Sequence, residues 1–248
     1  MTLPLISDIG FKFIEKTIMK NHFRFLKFAF MLVVLLLTVV IGRGQASTDT
    51  PQPNTLTNPL NSMGPDPWLT YYDGNYYLAT TTGTSALTMR KSPSLAGLKV
   101  ATPVTIYYET DDSRCCNMWA PEFDLLNGPD GLRWYFYYTA GTSGTFDNQR
   151  SYVLESAGTD PLGPYTFKGK LYDPQNDVWS IDGTVMTLND KLYFVSSTWV
   201  GSYQALFIAP MSNPWTIGSR VAISEPEFDW ETAGGLVNEG PVALHHNS

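Results

Sequence analysis

The sequence predicts an all-β fold of the β-propeller type, and three observations predict it. A carboxylate in a Gly, Pro or aromatic setting recurs four times: Asp66 in "MGPDPW", Glu122 in "MWAPEF", Asp182 in "WSIDGT" and Glu239 in "VNEGPV". Their spacings are 56, 60 and 57 residues. The first three acids are each followed by a short turn and an aromatic strand, and then by a further strand. The composition past the first 46 residues is rich in aromatics, Gly and Pro and poor in Lys, which suits strands and turns better than helices. Units of this size, each of about four antiparallel strands, fit propeller blades.

The elements follow in order. The first unit, about residues 66–110, carries "YYDGNYYLATTT" and "SALTMRKSP". The second, 118–172, carries "LNGPDGLRWYFYYTAG" and "RSYVLESAG". The third, 178–225, carries "LNDKLYFVSSTW" and "QALFIAPMS". "DG", "NGPDG" and "ND" mark the hairpin turns. Ser, Pro and Gly clusters such as "SPSLAG", "TDPLGPY" and "SNPWT" close the units. A fourth unit begins near Leu236. With an acid at the start of each innermost strand, four carboxylates would ring one mouth of the central channel. A single Asp beside Pro or Gly is ordinarily a turn residue, but recurrence in phase with the fold argues for more.

Residues 1–46 stand apart. A basic start (Lys20, Arg24, Lys27), an apolar run of 14 residues from Phe28 to Ile41 and small residues up to Ala46 have the layout of a secretory signal peptide. Met19 is a possible true start. The run is short for a bilayer-spanning helix, and an uncleaved anchor is the alternative. Residues 47–57 read as a linker and 58–248 as the folded region. This leader holds six Lys or Arg and two Asp or Glu, so its removal takes the formal charge from −7 to −11. Such a surface repels phosphate backbones and excludes nucleic acid as a partner. A neutral ligand remains open, and no membrane contact is expected after cleavage. The cysteines, Cys115 and Cys116, are adjacent and admit two readings: a strained ring between neighbours or two small buried thiols.

The stretches "GPDPW", "MWAPEF", "YVLESAGTDPLGPYTFKGKL", "WSIDGTV", "LFIAPMSNPWTI" and "VNEGP" together resemble glycoside hydrolase family 43, in particular its exo-acting α-L-arabinofuranosidases. The resemblance runs from about Asn58 to the last residue. It implies a five-bladed propeller, an inverting mechanism and a secreted enzyme acting on arabinan or arabinose-decorated polysaccharide. It also implies roles for three acids. Asp66 would be the general base, Asp182 would raise the acid's pKa and orient it, and Glu239 would be the general acid. The chemistry asks for these types on its own terms. Inversion takes one protonated carboxyl for the leaving oxygen and one carboxylate to activate water on the opposite face, roughly 6.5–9.5 Å away.

Further candidates for sugar contacts are Trp119 and Trp68, beside the acids, and Glu122, expected to face the channel and meet a hydroxyl. Trp199 and Trp179 have weaker claims. Arg150 is expected to contact the same hydroxyls or to pair with Glu122. No Cys or His cluster has metal-ligand spacing, and neither a metal site nor any other cofactor is expected within this chain.

The repeat departs from the family at its end, where three units and the start of a fourth stand against the five implied. On the order of 100 residues separate the two. An open ring exposes an apolar face and strand edges, so residues 47–248 alone are expected to be poorly stable and weakly active. The alternatives to an arabinofuranosidase are a β-xylosidase or endo-arabinanase on the same fold, and a truncated, non-catalytic sugar-binding propeller. A structural protein is the remaining class.

Overall fold

The computed structural model describes residues 55–244, and the expected leader and most of the linker lie outside the described residues. The described chain is all-β apart from two single-turn helices. Three antiparallel sheets follow one another along it. The first is a meander of β1 (Trp68–Tyr72), β2 (Asn75–Ala79), β3 (Ala86–Ser92) and β4 (Val104–Tyr108). The second comprises β5 (Cys116–Gly128), β6 (Gly131–Gly141), β7 (Arg150–Ser156) and β8 (Tyr165–Leu171). The third begins with β9 (Ile181–Leu188), β10 (Lys191–Val200) and β11 (Tyr203–Asn213). Its edge is split, with β12 (Thr216–Ile217) and β13 (Val221–Ser224) both pairing with β11. Helix α1 (Leu95–Leu98) lies in the first unit, capped by Ser94, whose Oγ accepts the Gly97 N–H at 3.1 Å. Helix α2 (Asp229–Thr232) follows β13.

Local chemistry sets the hairpins. Asp73 and Gly74 join β1 to β2 with φ of 45° and 75°, and Asn189 and Asp190 join β9 to β10 with 50° and 59°. These left-handed pairs suit two-residue hairpin turns, and Asn, Asp and Gly tolerate the conformation best. Gly201, at φ 61°, opens the turn from β10 to β11.

The core lies between the sheets. Strand β6 reads Trp134, Tyr135, Phe136, Tyr137, Tyr138 without a polar break, because its sheet is covered on both faces. Trp134, Phe136 and Tyr138 pack with Tyr77, Leu87, Met89 and Phe123 on the side of the first sheet. Tyr135 and Tyr137 pack with Phe194, Ala209 and Ile217 of the third. Each buried ring contributes roughly 4–6 kcal/mol of gross apolar burial. Tyr137 also bonds across the junction, its Oη donating to the Pro214 carbonyl at 2.8 Å. The adjacent cysteines, left open by the sequence, form a disulfide with each other.

Candidate active site

A left-handed residue recurs near the start of β1, β5 and β9, and again at Gly240 beyond the third sheet. Asp66 has φ 50°, Ala120 43°, Asp182 54° and Gly240 60°. In each sheet the residue before it faces a hydroxyl residue, which lies on β6 and β10 in the second and third sheets and two residues past the end of β2 in the first. The Thr81 N–H donates to the Pro65 carbonyl at 2.9 Å, Trp119 pairs with Thr139, and Ile181 pairs with Ser197. Those hydroxyls then reach the next unit. Thr81 Oγ1 accepts the Ala120 N–H at 2.7 Å, and Thr139 Oγ1 accepts the Asp182 N–H at 3.2 Å. Ser197 Oγ donates to the Asn238 carbonyl at 2.8 Å. One Ser or Thr of each sheet therefore holds the segment that carries the next left-handed residue.

This register corrects the phase drawn from acid spacing. Asp66 and Asp182 are equivalent, but the matching station in the second unit is Ala120. Glu122 stands two residues further on, level with Trp68 and Thr184, and Glu239 stands one residue before Gly240. The left-handed stations hold two acids, one Ala and one Gly.

The entry loops enclose a cavity of about 230 Å³, lined among others by Asp66, Trp68, Ala120, Glu122, Asp182 and Gly240. Asp66 is held by the Thr81 hydroxyl, which donates to its Oδ2 at 2.5 Å. Asp182 Oδ2 accepts the Gly240 N–H at 3.1 Å. Trp68 is anchored by its Nε1, which donates to the Phe123 carbonyl at 3.0 Å. Glu239 is exposed and borders a second, larger cavity of about 710 Å³.

Burial dominates the electrostatics. It raises Asp182 to about 6, with Glu239 and then Asp66 pushing in the same direction and the Gly240 N–H opposing them. That coupling sets Glu239 and Asp66 each within electrostatic reach of Asp182. Glu122 is raised to about 8, first by burial, with added repulsion from Asp124 and Asp182. The nearby Thr184 hydroxyl pulls it back in part, although Glu122 Oε2 and Thr184 Oγ1 each lack a hydrogen-bond partner. Asp124, half-buried on the same face of β5, is raised to about 7 by burial of its carboxyl alone, and its covered Oδ2 is also unpartnered.

The remaining candidates lie outside the lining of the small cavity. Trp119 is half-buried, its ring centroid 5.0 Å from that of Phe146. Trp179 donates its Nε1 to the Phe146 carbonyl at 2.7 Å and lies 5.9 Å from Trp199, which is 44 % exposed. Arg150 does not pair with Glu122. Its Nε donates to Asp177 Oδ1 at 2.8 Å, and Lys170 binds the other oxygen of that carboxylate. Sequence reasoning passed over Asp124, Thr81 and Phe146. The two-residue offset of Glu122 and Asp124 on one strand could have flagged the first, since it places both on one face.

Comparison with known proteins gives a family and relatives. The model of the glycosyl hydrolases family 43 matches residues 56–248. An extracellular exo-α-(1→5)-L-arabinofuranosidase of Streptomyces avermitilis is 36 % identical over 203 residues, covering 77 % of this chain and 40 % of the relative. An α-L-arabinofuranosidase of Humicola insolens is 36 % identical over 187 residues, covering 71 % of this chain and 37 % of the relative. The crystal structure of an α-L-arabinofuranosidase from Lactobacillus brevis superposes with a TM-score of 0.69 at 32 % identity, covering 77 % of this chain and 62 % of the other. The chain thus spans less than two thirds of the length of each of the three.

Proposed function

This chain belongs to glycosyl hydrolases family 43, and from that premise we propose that the protein is a secreted, inverting glycoside hydrolase. It releases L-arabinofuranose from arabinan or arabinose-containing polysaccharide. The three described sheets are read as the first three blades of a five-bladed propeller, with the segment from about Leu236 opening the fourth. Secretion rests on the leader reading of residues 1–46 and on the extracellular relative from Streptomyces avermitilis. The substrate class rests on the arabinofuranosidases among the relatives.

The observation that carries the chemistry is the coupling at Asp182. This half-buried carboxyl shares the small cavity with Asp66 and feels both Glu239 and Asp66. In the proposed reaction Glu239 gives its proton to the leaving oxygen as the glycosidic bond breaks. Asp66 takes a proton from the water that attacks the anomeric carbon from the opposite face. Asp182 orients the acid's loop by accepting the Gly240 N–H. Glu122, protonated at neutral pH by its burial, donates a hydrogen bond to a sugar hydroxyl. A cavity of about 230 Å³ suits one sugar ring, being smaller than the roughly 300–1,000 Å³ of sites for drug-sized ligands.

The test is arabinose release from arabinan by the full-length secreted protein and its Asp66→Asn and Glu239→Gln variants. Each variant is expected to lose about 10²–10⁴-fold in kcat. Unchanged turnover in either removes that residue's role. Sugar binding without product by the native protein makes it a binding module instead.

A further inference from the structure

Asn117 is fixed along the chain from both sides. It follows the Cys115–Cys116 disulfide, which closes a ring over two successive residues where β5 begins. Ring closure removes backbone freedom on the approach to Asn117. The next residue, Met118, is fully buried and bonds to the first unit through both main-chain groups. Its N–H donates to the Thr84 carbonyl at 3.3 Å, and its carbonyl accepts the Gly83 N–H at 3.0 Å. Trp119 follows, and then Ala120 on the lining of the small cavity.

The side chain of Asn117 turns this fixed point into a hold on a loop. Its Nδ2 donates to the Thr142 and Thr145 carbonyls, both at 3.0 Å. Its own carbonyl accepts Gln149 Nε2 at 3.0 Å, and Gln149 is fully buried. Residues 142–149 join β6 to β7, so one residue holds this loop near its start, middle and end. A side-chain amide supplies two donors from one nitrogen, and Asn also tolerates the left-handed φ of 54° found here. The loop carries Phe146, which is 59 % exposed. Its ring packs against Trp119 with centroids 5.0 Å apart, and its carbonyl accepts Trp179 Nε1 at 2.7 Å. Aromatic surface of this kind suits the apolar face of a sugar.

We infer that the Cys115–Cys116 ring and Asn117 form a clasp that positions Phe146 and, through it, sets the Trp119 indole in the orientation that meets the sugar. The inference rests on the arabinofuranosidase reading with Trp119 as a sugar contact, and it adds the residues that orient that contact. Asn117 and the two cysteines are positioning residues and do not touch the substrate. The clasp acts on affinity and leaves the chemical step alone, since Asp66 and Asp182 take their hydrogen bonds from Thr81 and Gly240 instead.

The experiment uses the full-length protein and an α-1,5-linked arabinotriose. Asn117→Gly keeps a residue that accepts the left-handed backbone and deletes both donors. Its KM is expected to rise about three- to tenfold with kcat unchanged, the worth of one displaced ring contact. Cys115→Ala/Cys116→Ala should raise KM in the same way. Phe146→Ala, a change at an exposed position, should reproduce the rise without disturbing the strand. In a Trp119→Ala background Asn117→Gly should add nothing further, because both changes act through one ring. A native KM in any of the three variants, a loss confined to kcat, or additive losses with Trp119→Ala overturns the inference. A native protein that releases no arabinose overturns the functional reading instead, and the clasp is then judged by near-ultraviolet circular dichroism. The signal of the packed Trp119 and Phe146 rings should change alike in Asn117→Gly and Phe146→Ala. A native spectrum in Asn117→Gly overturns the clasp whatever the activity.

Discussion

Glu122, on the wall of the small cavity, and Asp124, two residues further along the same strand, have protons that the fold holds more tightly than that of Asp182. Burial is the first cause for both, and neither side chain has found a full set of partners. The sign of the consequence is fixed. A carboxyl whose folded value lies above its unfolded one binds more protons when folded, so its contribution is complete below about 4.5 and is lost as the pH rises through about 8 for Glu122. Thermal stability of the full-length protein is therefore expected to decline between about pH 5 and 8.5. Glu122→Gln removes that charge, and should raise Tm at pH 8.5 by at least about 2–4 °C, the shift that one kcal/mol gives in a domain of this size. A variant that melts with the native slope would place the titration elsewhere. The sequence marked Glu122 through its motif. It did not mark Asp124, because the cost of burying a carboxylate depends on what covers it. Nor did it reveal that Arg150 belongs to Asp177, a partner 27 residues away across a sheet edge.

At the scale of elements, turns were the most legible feature. "DG" and "ND" announced hairpins because few residues adopt positive φ twice in succession, and the structure places left-handed pairs at both. Register was not legible. Acids at near-equal spacing suggested one shared station, yet the backbone aligns Ala120, not Glu122, with Asp66 and Asp182. The difference arises because the loops before β5 and β9 vary in length while the hydroxyl staples of Thr81 and Thr139 hold the strand entries in place. Strand β9 shows how tightly the site leans on packing. A Cβ added to Gly183 would lie 2.2 Å from Cζ of Phe194, a ring that is 1 % exposed. Gly183→Ala must move that ring or the strand, and is expected to cost about 1–3 kcal/mol. It should also lower kcat, because Asp182 is the neighbouring residue. Thermal melts and turnover on arabinan measure the two effects, and native values for both would show that Phe194 yields without cost.

For the described sheets as a whole, the second sheet is the keystone. The aromatic run of β6 was readable as a strand, but a continuous apolar run does not say which residues face which way. The structure sends alternate rings to two separate clusters, so the sheet serves two junctions at once. Tyr137 is the polar link in one of them, and Tyr137→Phe leaves the buried Pro214 carbonyl without its donor. The expected cost is about 1–3 kcal/mol. Because the rings on both faces share one strand, the loss should appear as a lower midpoint of a single transition, seen alike by far- and near-ultraviolet circular dichroism. Two separated transitions would mean that the junctions melt independently.

The recurring left-handed station has a consequence for how such a protein can diversify. The backbone is already bent at four places around one cavity, and only two of them carry an acid. Ala120 occupies a socket whose conformation Asp accepts more readily than Ala does. New chemistry at this mouth thus requires no new loop, only a change of tenant in a socket that the hydroxyl staples already hold open.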